Sequence, residues 1–275
     1  MSFSNAAVQN GENTAVGIVD ISSRSLCILL MAGDGGIDNT RKLLQVCVDE
    51  GVQVVELCVP FPNAFTDGEV LQRAHQRALD VGTELECCLP LVEEFSDQLK
   101  IVLLVDYSHS VRPRGAAGVL RAAKTSGCAA ILPHGLPPRL REEFYQAAAE
   151  IDLSVVGTVY PNTDSQTRKN VLRQSGGFIY LVSQFGKSGG SVQTDQKAVS
   201  ETLFAIRQET ALPVAIGFGL KTQKDLDAAF QQGADMCIVG SAATAATERA
   251  IQMNTSPRRA LTGFLRQLKE DEKHG

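Results

Sequence analysis

Eight short runs of apolar, largely β-branched residues recur along the chain, separated by stretches with helical periodicity. The runs are LCILLM from Leu26, VQVVELCV from Val52, KIVLLV from Lys100 and CAAILP from Cys128, then LSVVGTV from Leu153, GFIYLVS from Gly177, LPVAIGF from Leu212 and DMCIVG from Asp235. They are almost continuously apolar, not alternating, which is the pattern of strands covered on both faces in a parallel sheet. The amphipathic stretches between them have recognisable ends. IDNTRKLLQVCVDEG starts on Asp38 and stops at Gly51, and DGEVLQRAHQRALDVG stops at Gly82. PPRLREEFYQAAAEI opens on prolines, which a first helical turn tolerates, and TQKDLDAAFQQG runs from Thr222 to Gly233.

The repeat of roughly 25–35 residues is the size of one βα unit. The longer interval between the second and third strands predicts an extra helix. Eight strands alternating with helices predict an α/β fold, a (βα)8 TIM barrel forming a single domain over residues 1–275. A doubly wound open sheet is the alternative, and it would carry a GxGxxG turn after its first strand. Here that strand runs into Ala32-Gly33-Asp34-Gly35-Gly36, which does not open a helix in that pattern. Residues 1–14 and the charged tail 270–275 are expected to be loose.

Composition narrows the function. Aromatics make up 5% with no Trp, and the formal charge is −5, so neither a base-stacking platform nor a basic stripe for nucleic acid is present. No apolar run reaches the length of a membrane span, and the N-terminal stretch lacks the apolar core of a signal peptide, so a cytoplasmic protein is expected. The seven cysteines are odd in number and lack CxxC or Cys/His spacing, which argues against a disulfide framework or a metal site.

In a (βα)8 barrel the chemistry lies at the C-terminal ends of the strands. Gly217-Phe218-Gly219 follows the seventh run, Gly240-Ser241-Ala242 the eighth and Gly186-Lys187-Ser188-Gly189-Gly190 the sixth. Glycines there let backbone N–H groups approach an anion, and a helix starting at Ser241 adds its positive end. These corners therefore predict a phosphate seat, with tight turns as the plainer alternative. Glu56 interrupts the apolar VVELCV and should point into the barrel mouth, where enclosure would raise its pKa for acid–base work. A salt-bridged structural glutamate is the alternative. Asp67, before Gly68, could equally be a helix N-cap. Asp106 and His134 also stand at strand ends, and the setting Pro133-His134-Gly135 fits a turn histidine as well as a base. His75 reads as a surface or packing residue on a helix.

With these residues in place the chain resembles the tryptophan synthase alpha subunit family from about Leu26 to Leu268. VVELCVPFPNAFTDGEVLQRAHQRAL is similar to that family's E-L-G-x-P-F-S-D-P-x-A-D-G-P-x-I-Q, and GFIYLVSQFGKSGG to its G-F-x-Y-x-V-S-x-x-G-x-T-G. PVAIGFGLKTQKDLDAA and VGSA resemble its G-F-G-I and V-G-S-A blocks. The resemblance implies a lyase that splits indole-3-glycerol phosphate into indole and glyceraldehyde 3-phosphate without metal or organic cofactor. It implies Glu56 as the acid–base residue and Asp67 as the group holding the indole N–H. It puts the phosphate on Gly189, Gly219, Gly240 and Ser241, with Gly217 and Phe218 shaping that wall and Tyr180 and Ser188 as further pocket candidates.

Departures gather in the loops. The family's S-D-P reads Pro62-Asn63-Ala64, and its G-D-P reads Gly33-Asp34-Gly35. The P-D-L-P-P after the fourth strand reads Pro133-His134-Gly135-Leu136-Pro137, one residue longer. The third strand ends in Asp106-Tyr107-Ser108-His109 in place of a tyrosine-asparagine-proline pattern. Asn63 replaces an aspartate that the resemblance places against a beta subunit. Four readings follow: a stand-alone lyase releasing indole, a beta-dependent alpha chain, the same fold on another phosphorylated substrate, and a non-catalytic binding barrel.

Overall fold

The computed structural model describes Ile18 and residues 24–182, 196–217 and 219–269. The expected loose ends, 1–14 and 270–275, lie outside the described residues.

Nine parallel strands form one sheet in the order β5-β4-β3-β2-β1-β9-β8-β7-β6. They are β1 (Ser25–Met31), β2 (Val54–Cys58), β3 (Lys100–Asp106), β4 (Ala130–His134), β5 (Ser154–Val155), β6 (Gly157–Val159), β7 (Ile179–Val182), β8 (Val214–Gly217) and β9 (Met236–Val239). Each coincides with one of the eight apolar runs to within a residue. LSVVGTV alone is divided: β5 pairs with β4, β6 pairs with β7, and Val156 between them donates its N–H to the Ile131 carbonyl. The two halves act as one bent stave, so eight staves close the barrel and the open-sheet alternative is set aside.

The helices are α1 (Ile37–Asp49), α2 (Glu69–Asp80), α3 (Leu85–Phe95), α4 (Ala116–Thr125), α5 (Arg141–Ala149), α6 (Ser165–Gln174), α7 (Gln196–Arg207), α8 (Gln223–Gln231), α9 (Ser241–Gln252) and α10 (Pro257–Gln267). The extra helix expected between β2 and β3 is α3. The prolines before α5 form a separate 3-10 turn, Pro138–Leu140, and the helix proper begins at Arg141. At α8, Thr222 and Asp225 form a reciprocal capping box.

Two apolar layers hold this together. One lies between staves and helices and includes Ile28, Val55, Leu57, Ile101 and Leu103. The other fills the barrel with Cys27, Val54, Val102, Ala130, Val156, Phe178, Ala215 and Met236. Side chains alternate across a strand, so in β2 the inward set is 54, 56 and 58. Above the plugged interior the next inward positions, Leu29, Glu56, Leu104, Leu132, Tyr180 and Ile238, floor a cavity of about 560 Å³ at the C-terminal rim. Among the described residues no helix is long and apolar enough to cross a membrane.

Candidate active site

Glu56 is the one acidic side chain among these floor residues. It is fully buried, and neither carboxylate oxygen has a hydrogen-bond partner among the described residues. Leaving a carboxylate so is costly, so burial pushes its pKa up from about 4.5 to about 8. Near neutrality Glu56 is a carboxylic acid, able to give up its proton to whatever fills the cavity. Among the described residues it forms no salt bridge.

Asp67 lies on the adjoining wall, in the β2–α2 loop. It does not cap α2: the N-cap is Gly68, with no side-chain cap bond. Instead its Oδ2 meets His75 Nε2 at 3.0 Å. His75 is buried nearly two turns into α2, and its Nδ1 accepts the Phe61 backbone N–H at 3.1 Å. A backbone amide can only donate, so Nδ1 is bare and, in the neutral ring, Nε2 carries the proton toward Asp67. His75 is thus a packing residue, as one reading had it, and an orienter of Asp67, which the sequence did not reveal. Its signal was a histidine eight residues after an aspartate, ambiguous without knowing that the loop folds back.

The glycines lie further round the rim, at the corners after β8 and β9. Gly219, with φ +80°, and Gly240 and Ser241 all line the cavity. Gly240 caps α9 without any side-chain bond, which leaves the first-turn N–H groups of a 12-residue helix for an anion. Gly217 stands just behind: a Cβ there would lie 2.4 Å from the Tyr180 hydroxyl, so its bareness makes room for that ring on the cavity floor. Gly189, Ser188 and Phe218 lie outside the described residues.

His134 lines the cavity and stacks on Phe61, ring centroids 5.4 Å apart. Asp106 is its neighbour across β3 and β4. The Asp106 carboxylate accepts from the His109 backbone N–H at 2.9 Å and meets His109 Nδ1 at 2.7 Å, capping the π-helical turn Tyr107–Val111. It does not line the cavity. His75 and His109 also approach Phe61, at 4.4 and 6.3 Å. Among the described residues no cluster of His, Cys, Asp and Glu could hold a metal ion.

An ion network ties the two sides of the site together. Arg77 of α2 forks onto buried Asp34 at 2.6 and 2.8 Å and reaches Glu248 of α9 at 2.6 Å. Arg73 of α2 forks onto the same Glu248 at 2.8 Å through both nitrogens. The helix that bears His75 is so fastened to the helix that begins at Ser241.

A barrel whose mouth gathers a buried acid, an oriented carboxylate and an open helix N-terminus around one cavity has the architecture of a (βα)8-barrel enzyme. The sequence profile described as tryptophan synthase alpha chain matches residues 21–273. The tryptophan synthase alpha chain of Xanthomonas oryzae is 32% identical over 249 residues, covering 90% of this chain and 92% of its own. That of Methanopyrus kandleri is 31% identical over 213 residues, covering 78% and 77%. A solved alpha-subunit variant from Pyrococcus furiosus superposes with a TM-score of 0.78 at 29% identity, covering 89% of this chain and 97% of its own. The chain belongs to the tryptophan synthase alpha chain family.

Proposed function

We propose that this chain is a cytoplasmic, single-domain lyase that cleaves indole-3-glycerol phosphate to indole and glyceraldehyde 3-phosphate. The observation that carries the reading is Glu56: a fully buried carboxyl with no hydrogen-bond partner among the described residues, facing a cavity of ligand size, its pKa pushed up by burial to about 8. Breaking a bond between an aromatic carbon and its side chain requires a proton at that carbon. Glu56 delivers it to the indole carbon that bears the glycerol chain. The ring nitrogen then carries positive charge, which Asp67 balances while accepting the N–H. The resulting Glu56 carboxylate takes the proton of the adjacent glycerol hydroxyl. The C–O bond becomes a carbonyl, the C–C bond breaks, and its electron pair restores the indole ring. Glu56 ends protonated, as it began, so no cofactor enters the balance. The phosphate rests on Gly219, Gly240 and Ser241, with Gly189 completing the seat.

The chain acts without a beta chain in this reading. The loop that the resemblance places against that subunit carries Asn63, with φ +58°, in place of the aspartate. One solved relative is a tryptophan synthase complex from Pyrococcus furiosus, matched with a TM-score of 0.76 at 29% identity, so dependence on a beta chain is the competing reading. Indole release from indole-3-glycerol phosphate by the purified chain separates them. Full turnover alone supports the stand-alone form, and turnover only on adding a beta chain refutes it.

A further inference from the structure

Asp67 faces two cavities. Besides the main one it lines a recess of about 40 Å³, which shares Leu104 and His134 with the main cavity and ends on Met31, Cys58 and Phe61. The recess lies on the β1–β2–β3 side of the mouth, where Met31, Cys58 and Phe61 pack in one cluster with Ala74 and Ala78 of α2. Its volume is close to the share of a single water in the liquid, roughly 30 Å³, and so to one methyl group.

The proposed reaction does not use the recess but takes place beside it. Side chains alternate across a strand, so Cys58 is the next inward residue of β2 after Glu56, toward the rim. Its register partners are Met31 of β1 and Leu104 of β3. Cys58 is buried, and burial drives its thiol well above the ordinary pKa, with the Asp67 and Glu56 carboxyls adding to the rise. The side chain therefore stands within electrostatic reach of both groups. Its hydrogen goes to the Val59 carbonyl at 3.6 Å, so the thiol is a small apolar plug in this wall. In the family pattern E-L-G the same position is glycine, which would leave the recess deeper by a whole side chain.

The reaction fixes which edge of the ring comes here. C3 of the indole meets Glu56, and the N–H meets Asp67. C2 is bonded to both C3 and the nitrogen, so the C2–H edge is the one carried between the two carboxyls, toward Cys58. The benzo ring lies on the far side of C3 and the nitrogen. We infer that Cys58 is a specificity-determining residue: its side chain sets the depth of the recess that receives the C2 edge and limits a substituent there to a methyl group. This rests on the lyase reading and names its substrate class, indole glycerol phosphates with hydrogen or methyl at C2.

The test runs the reaction toward condensation, with glyceraldehyde 3-phosphate and indole, 2-methylindole or 2-ethylindole, on the wild-type protein, Cys58→Gly and Cys58→Val. The wild type should take 2-methylindole with a kcat/KM within about tenfold of indole, and 2-ethylindole at least about tenfold below 2-methylindole, the scale of one methylene too many in an apolar pocket. Cys58→Gly should bring 2-ethylindole level with 2-methylindole, and Cys58→Val should push 2-methylindole at least about tenfold below indole. Turnover of 5-methylindole, substituted on the benzo ring, should not depend on position 58, nor should the KM for glyceraldehyde 3-phosphate. A size limit that stays in place in both variants overturns the assignment, as does one that moves equally for 5-methylindole. A wild type that takes all three C2 groups alike, or refuses 2-methylindole, overturns it without any variant. If one variant fails to fold, the other and the wild-type series decide. If no protein condenses any pair, the lyase reading fails by itself. Calorimetric binding of the same indoles then judges the recess: a size limit that moves with position 58 upholds it, and one that does not overturns it.

Discussion

His75 donates from Nε2 to Asp67 Oδ2 across 3.0 Å while its Nδ1 accepts the Phe61 N–H across 3.1 Å. The ring thus locks one carboxylate oxygen and leaves the other for the cavity. If His75 works only through Asp67, the two side chains form one unit. His75→Leu alone should lower kcat by roughly tenfold, the scale of a lost positioning hydrogen bond. In an Asp67→Asn background the same change should cost little more. A double-mutant cycle on kcat measures the coupling, and independent, additive losses would contradict the assignment.

Glu56 should weaken the fold as pH rises. Its pKa is raised from about 4.5 to about 8, so the folded chain keeps a proton that the unfolded chain has lost across that window. Stability then falls as pH climbs from about 4.5 to about 8, by roughly 5 kcal/mol in all. Glu56→Gln removes this loss. Its melting temperature at pH 8 should exceed that of the wild type, and the two curves should converge near pH 4. Parallel curves would mean that the carboxyl is already ionised at neutrality.

The same proton sets the rate. The protonated acid starts the reaction, so kcat/KM should decline as pH rises through about 8. A profile flat from pH 7 to 9.5 would remove Glu56 as the proton donor.

Glu248 neutralises two arginines of α2, and those arginines hold its pKa below the usual carboxylate value, with the Arg73 hydrogen bond the largest cause. Glu248→Gln leaves Arg77 and Arg73 short of charge beside buried Asp34. Thermal unfolding should show a loss of roughly 2–4 kcal/mol. The KM for the phosphorylated substrate should also rise, because α9 opens at Ser241. A variant as stable as the wild type would show that the network is incidental.

The staves were legible because burial on both faces writes them as continuous apolar runs, and each observed strand coincides with such a run to within a residue. What escaped is the division of LSVVGTV at Val156, since nothing local distinguishes that valine from Val155. Glu56 was legible because a charge inside an apolar strand has few other uses. Asp67 was ambiguous because an aspartate before glycine reads equally as a helix cap, and only the fold-back of its loop brings His75 within reach. Asp106 was ambiguous for the converse reason. It ends a strand at the correct rim, but the π-helical turn that follows takes its carboxylate for a cap. The Arg77–Asp34–Glu248 network joins residues 43 and 171 positions apart, a separation no local pattern reports.

The most direct test is single-turnover cleavage of indole-3-glycerol phosphate by the wild-type chain and by Glu56→Gln, with indole appearance followed in time. A loss of at least about a hundredfold in the variant, with substrate still bound, is the predicted result. Cleavage at an undiminished rate would contradict the account, because the buried carboxyl at the centre of the cavity would then have no part in the chemistry.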